Sequence, residues 1–187
     1  MTLTRAILLL SSLSLLALPR PSLAELIPDP LAKPNIRITE PWMRQLVAAG
    51  MSRSPTFRSL VERLEQSDVV AYIQMDVQGF DGVAGRLTFL SAVGGTRYVV
   101  IRLTPLRSAV QQLAMIGHEL QHAVEVADNP AIVDAESMYR EYLRIGYLNG
   151  ITESGVAVDT AAALEVGGRI SDELRDAPVV FPPALLP

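Results

Sequence analysis

The chain has 187 residues, of which 49% are hydrophobic and 19% charged, with a formal net charge of −4 and no cysteine. This length and composition are typical of one globular domain and exclude a collagen-like or disordered polymer. The lack of cysteine excludes disulfides, thiolate-bound zinc, iron–sulfur clusters and a cysteine nucleophile, and the acidic balance disfavours nucleic acid as a partner.

The first 24 residues have the features of a secretory signal peptide. Arg5 supplies a positive charge, and the apolar run 6–18 has the length of a signal-peptide hydrophobic region but is too short to span a bilayer. Ser22 and Ala24 are the small residues that a signal peptidase accepts, so we expect cleavage after Ala24. The sequence therefore predicts a secreted or periplasmic protein with no membrane span after cleavage.

Proline-rich segments flank the expected domain on both sides. Four prolines lie in 26–41 and four in 178–187. Because proline interrupts regular structure, we predict an irregular N-terminal segment over 25–53, a single domain over 54–177 and a proline-rich tail over 178–187. Trp42 and Met43 are expected either to cap the core or to cover a cleft.

The first half of the domain is predicted to form a helix and three strands. Ser54-Pro55 provides an N-cap and a first helical residue for a helix ending near Gln66. Alternating and β-branched residues predict strands over 69–77, 86–93 and 96–103, separated by turns at glycines. The turn glycines are Gly79, Gly82, Gly85 and the pair Gly94-Gly95. Connections this short predict an antiparallel meander.

The second half is predicted to be helical. Thr104-Pro105 starts a long helix that reaches about Asp128 and ends at Asn129-Pro130. A second helix is expected over 134–145, and a third from Asp159 or Thr160 to about Arg175. The predicted fold class is therefore α+β, with a small antiparallel sheet of about three strands packed on a long helix and further C-terminal helices.

The long helix carries the sequence His-Glu-Leu-Gln-His at residues 118–122, which contains the only two histidines of the chain. Residues four apart lie on one helical face, so His118 and His122 can bind one cation. Glu119 is placed to accept a proton from a water on that cation. Neutral imidazoles suit zinc, which we expect as the cofactor. Gly117 precedes the motif and would let the helix approach a neighbour closely.

In this motif and in the order of meander, helix and later helix, the sequence resembles the zincin metallopeptidases. It is also similar to short exported bacterial proteins that share the HELxHAxE run. The resemblance implies that His118 and His122 bind zinc, that Glu119 is the general base, and that the substrate is a peptide or protein. It also implies that the strand 98–103 could offer an edge to an extended peptide. The third histidine of metzincins and the Asn-Glu signature of thermolysin-like enzymes are absent.

The third zinc ligand must be a carboxylate, since no further histidine and no cysteine exist. Glu125 lies on the metal face one turn after His122, and we rank it first, either as a ligand or as a hydrogen-bond partner of a histidine ring. Asp159 is an alternative, although it could equally cap the last helix. Two further alternatives lie on the helix predicted over 134–145: Glu141, whose spacing is similar to that of glutamate-ligated zincins, and Glu136.

Tyrosines following the motif are candidates to stabilise an oxyanion, as tyrosine or histidine does in zincins. These candidates are Tyr139, Tyr142 and Tyr147. The function that the sequence predicts is an exported zinc metallohydrolase, a peptidase above other hydrolases. The alternative is a catalytically inactive metal-binding or scaffold protein of the cell envelope.

Overall fold

The computed structural model describes residues 34–76, 82–152 and 155–176. The predicted signal peptide, Val77, Gly79 and the proline-rich tail lie outside the described residues. The chain forms, in order, β1 (Ile36–Ile38), α1 (Pro41–Arg53), α2 (Pro55–Glu65), β2 (Val69–Met75), β3 (Gly85–Val93), β4 (Thr96–Leu103), α3 (Ala109–Asp128), α4 (Ala135–Ile145), β5 (Tyr147–Thr152), β6 (Gly155–Asp159) and α5 (Ala161–Asp176). The predicted α+β class is confirmed.

The main sheet has four strands in the order β1-β2-β4-β3 and is mixed. Strands β1, β2 and β4 run parallel, and β3 pairs antiparallel with β4 at the edge. The predicted antiparallel meander is therefore wrong, because β3 is separated from β2 by β4. The first five residues of β2 include four that are fully or almost fully buried, as expected for an internal strand of a parallel pair.

The turn between β3 and β4 is confirmed as a hairpin. Gly94 and Gly95 both have positive φ, at 59° and 80°, which glycine adopts without steric cost. This hairpin places β3 as the outer strand beside the long helix α3.

The N-terminal part of the domain contains a strand and a helix that the sequence did not predict. The irregular segment predicted over 25–53 is wrong over 36–53, where β1 and α1 form. Proline at the first position of a helix is favourable because the N–H group it lacks would have no partner there, and Pro41 occupies that position in α1. Met43 is fully buried in the core and Trp42 packs against it.

Helix boundaries follow the capping residues. Ser54 caps α2 as predicted, its hydroxyl accepting from Phe57 N–H at 2.9 Å. The start predicted for α3 at Thr104-Pro105 is wrong: Ser108 caps this helix, while the N–H of Thr104 donates to Ala84 in the strand region. Asp134 caps α4 and Thr160 caps α5, close to the predicted positions.

Helix α3 lies at the centre of the core, against one face of the main sheet. Ala71, Ile73, Val99 and Ile101 form that sheet face and are all fully buried. The C-terminal end of α3 is fixed by Arg97 of β4, which donates to several carbonyls at this end and forms an ion pair with Asp68. Across the described ranges, no helix is both long and apolar enough to cross a membrane.

Candidate metal centre

The two histidines of α3 meet an aspartate from a different part of the fold. Nε2 of His118 lies 3.3 Å from Oδ1 of Asp159, and Nε2 of His122 lies 3.5 Å from the same oxygen. One ligand atom from each residue lies within 4.8 Å of the others. This spacing and chemistry allow the group to bind a metal ion.

Asp159 is held in place by a residue of β5 and by the residue that caps α5. Its Oδ1 accepts from the backbone N–H of Thr160 at 2.7 Å, and its Oδ2 accepts from the side-chain amide of Asn149 at 3.1 Å. Asp159 ends β6, and the hairpin of β5 and β6 forms a small sheet of its own. From the sequence, we expected Asp159 to be either a metal ligand or the cap of the last helix. In the structure, Thr160 caps this helix instead.

Glu125 approaches the site from the other side of His122. Its Oε2 is 2.9 Å from Nδ1 of His122, and its Oε1 accepts from the hydroxyl of Thr160 at 2.7 Å. This is the second of the two positions expected for Glu125, that of a hydrogen-bond partner of a histidine ring. The group of mutually close ligand atoms contains Asp159 and not Glu125.

Glu119 is buried beside the histidines, against the edge strand β3. Only 3% of its surface is exposed, and its Oε2 has no hydrogen-bond partner among the described residues. Burial raises the pKa of Glu119 above its ordinary value, although His122 and His118 oppose this shift. Gly85 of β3 makes room for the side chain, since a Cβ there would lie 2.5 Å from Oε1 of Glu119.

Carboxylates dominate the electrostatics of the site. Burial lowers the pKa of His122, but hydrogen bonds to Asp159 and Glu125 outweigh it and raise the pKa to about 9. Burial raises the pKa of Asp159, but hydrogen bonds from His118 and His122 outweigh this effect and hold the pKa well below its ordinary value. Because the carboxylates of Asp159 and Glu125 stabilise a positive charge next to them, the site is suited to a cation.

A cleft of about 700 Å³ opens onto the three candidate ligands and Glu119. One wall is the beginning of β3, and the others come from α4, the β5–β6 hairpin and the start of α5. Its apolar lining includes Leu87, Met115, Met138, Val158 and Leu164.

The expectation that the strand 98–103 would offer a sheet edge to an extended peptide is wrong, because β4 lies between β2 and β3.

The three tyrosines considered as oxyanion-stabilising residues have different surroundings. Tyr142 is buried against His122 and its hydroxyl donates to the backbone oxygen of that residue at 3.0 Å. Tyr139 lines the cleft with 45% of its surface exposed, whereas Tyr147 is not among the lining residues.

Two acidic candidates on α4 lie apart from the histidine–aspartate group. Glu136 and Glu141 form ion pairs with Arg140 and Arg144 on their own helix. Neither belongs to the group of candidate ligands.

As the sequence suggested, Gly117 allows its helix to approach a neighbouring helix closely. A Cβ at this position would collide with Ile170 of α5. The resulting contact brings α5, whose first turn follows Asp159, against the helix that carries both histidines.

Comparisons with known proteins give no match to the chain. No protein-family model, no curated protein and no solved structure matches the chain. The site is therefore defined by its own geometry: two imidazole nitrogens and a carboxylate oxygen, with a buried acid beside them, at the floor of an open cleft.

Proposed function

We propose that this chain is an exported zinc-dependent metallohydrolase that cleaves peptide bonds, with His118, His122 and Asp159 as the zinc ligands. The observation that carries the proposal is the convergence of these three side chains with the buried carboxylate of Glu119 at the floor of an open cleft. Three protein ligands and an accessible fourth position are typical of catalytic zinc sites, whereas structural sites use four protein ligands.

The chemistry of the donor set fits zinc. Two imidazole nitrogens and one carboxylate oxygen are ligands that zinc accepts in tetrahedral sites. Glu125 supports this assignment because, by accepting from Nδ1 of His122, it leaves Nε2 of that ring free to act as a ligand. We therefore assign the third ligand to Asp159 and the orientation of His122 to Glu125.

Glu119 is proposed as the general base. A zinc ion held by His118, His122 and Asp159 would act as a Lewis acid and would lower the pKa of water to about 7. Glu119 would accept the proton of the water whose oxygen attacks the carbonyl carbon, and would return that proton to the amine nitrogen when the C–N bond breaks. Burial raises the pKa of Glu119, which favours its taking up a proton in this step.

The choice of a peptide as substrate rests on two supports. The first is the resemblance of the HExxH helix, packed on a small sheet, to zincin peptidases. The second is the cleft, whose wall is an edge strand with mostly apolar side chains around it. An extended peptide can pair with such an edge while its side chains enter apolar pockets. Tyr139, exposed at the cleft wall, is the tyrosine placed to approach a bound substrate.

The decisive experiment measures metal and then activity. The exported chain is purified without a His tag, beside His122→Ala, and zinc is quantified by mass spectrometry. We expect about one zinc per chain, lost in the variant, as for a single three-ligand site. Glu119→Gln then serves as the matched variant in a peptide-library assay, because it keeps the zinc but removes the proton acceptor.

Each outcome distinguishes the candidate functions. Hydrolysis that disappears in Glu119→Gln at unchanged zinc content supports the peptidase. Zinc without hydrolysis of any peptide would favour the inactive metal-binding or scaffold protein. A chain that binds no zinc after reconstitution would refute the metal site altogether.

A further inference from the structure

One residue outside the ligand set, Thr160, contacts one candidate ligand and the hydrogen-bond partner of another. The backbone N–H of Thr160 donates to Oδ1 of Asp159 at 2.7 Å, and its hydroxyl donates to Oε1 of Glu125 at 2.7 Å. The other oxygen of Glu125 lies 2.9 Å from Nδ1 of His122. Thr160 thus connects a ligand at the end of β6 with a ligand on α3.

The surroundings of Thr160 make these contacts specific. Thr160 is 3% exposed and the side chain of Glu125 is 10% exposed, so few water molecules can replace either partner. A buried carboxylate that loses one donor is held less firmly, and so is the imidazole that it orients.

We infer that Thr160 is a positioning residue of the metal centre, which holds Glu125 against His122 so that Nε2 of His122 faces Asp159. This inference rests on the proposed zinc site. It assigns to the hydroxyl of Thr160 a role in metal affinity beyond its role as a helix cap.

The capping role has to be separated from the positioning role. The hydroxyl oxygen of Thr160 also accepts from the N–H of Ala163 at 3.1 Å and so caps α5. A residue that only caps α5 would affect stability without changing how the ligands bind metal. Thr160→Asp distinguishes the two roles, because aspartate is an equally good cap but its carboxylate cannot donate to Glu125.

Zinc affinity is measured by competition with a chromophoric chelator, and the ligand geometry by the visible absorption of the Co²⁺-substituted protein. The variants are Thr160→Val, Thr160→Asp and Thr160→Ser, each made in the full exported chain. Ser108→Ala serves as the matched control, since it removes the cap of α3 without contact with the site.

We expect Thr160→Val and Thr160→Asp to weaken zinc binding by about tenfold, the lower end of the range for residues that orient metal ligands. Both should alter the Co²⁺ spectrum, while Thr160→Ser, which keeps the donor, restores the affinity and spectrum of the unmodified chain. Ser108→Ala should lower the melting temperature without changing either readout.

Two results would overturn the inference, and they can be told apart. If the unmodified chain binds zinc and both Thr160→Val and Thr160→Asp bind it equally well with an unchanged Co²⁺ spectrum, Thr160 is only a helix cap and the zinc site stands. If the unmodified chain binds no metal, the proposed function fails together with the positioning role.

Discussion

Gly85→Ala tests whether the position of Glu119 depends on the absence of a side chain on the facing strand. The added Cβ would lie 2.5 Å from Oε1 of Glu119 and 2.9 Å from its Cγ, where ordinary contacts are 3.4–4 Å. Gly85 does not have a positive φ, so the substitution acts through this contact and not through backbone strain. The carboxylate must move by about 1 Å, because closely packed interiors do not absorb such an overlap.

The cost of this movement can be measured without any assumption about activity. Overpacking a buried site costs about 1–3 kcal/mol. Replacing glycine by alanine within a strand contributes about 0.5–1 kcal/mol in the opposite direction. In urea unfolding of the metal-free protein, we therefore expect Gly85→Ala to be destabilising in the unmodified chain. In a Glu119→Ala background, which removes the opposing atoms, it should be neutral or stabilising.

A matched glycine provides the control. A Cβ at Gly168 of α5 would meet no atom within 4 Å, so Gly168→Ala should stabilise both backgrounds by about 1 kcal/mol. Under the proposed function, Gly85→Ala should leave the zinc content unchanged and lower peptide hydrolysis by about a hundredfold, the effect of moving a catalytic group by 1 Å. An equal free-energy cost of Gly85→Ala in both backgrounds would refute the reasoning.

Three further outcomes are expected. Gly117→Ala should lower the free energy of unfolding by about 1–3 kcal/mol, and Ile170→Ala should relieve part of that cost; additive effects in urea unfolding would contradict the helix contact. Arg97→Lys should destabilise by about 2–3 kcal/mol in the same assay, since an ammonium group cannot reach the carbonyls of α3 and Asp68 together. The coupling of Asp159 with His122 should contribute most to the stability of the metal-free protein between pH 3.8 and 6.5, the ordinary pKa values of aspartate and histidine. The lowered pKa of Asp159 means that its contribution is lost as the pH falls, and the raised pKa of His122 means that its contribution is lost as the pH rises through about 9. A melting temperature that does not fall from pH 6.5 to 9.5 would contradict this coupling, and zinc should raise the melting temperature more at the upper end of this range, where the imidazole proton no longer competes.

Local signals were sufficient to predict the helices and strands from α2 onward, with the exception of the β5–β6 hairpin. Capping residues such as Ser54 and Asp134, the glycine pair between β3 and β4, and the helical spacing of the two histidines are all local features. The order of the strands was not predictable in this way, because it depends on which distant strands pair. The near-continuous apolar run in β2 was the available sign of an internal parallel strand.

The third candidate ligand illustrates the same limit. Glu125 follows His122 by one turn of the same helix, so helical geometry alone places it at the ring. Asp159 reaches the histidines through a hairpin that pairs only with itself and that local patterns signal weakly. Val156 and Val158, alternating after Gly155, were the signal that could have predicted β6.

The way in which the candidate ligands are divided between elements has a consequence for metal exchange. His118 and His122 belong to the central core helix, whereas Asp159 ends a two-stranded hairpin outside the main sheet. Local opening of the hairpin would therefore withdraw one ligand while the core stays folded, since small units can open at a lower free energy than the whole domain. If these residues bind zinc as proposed, the rate at which a strong chelator removes the metal would report the opening of this hairpin rather than global unfolding.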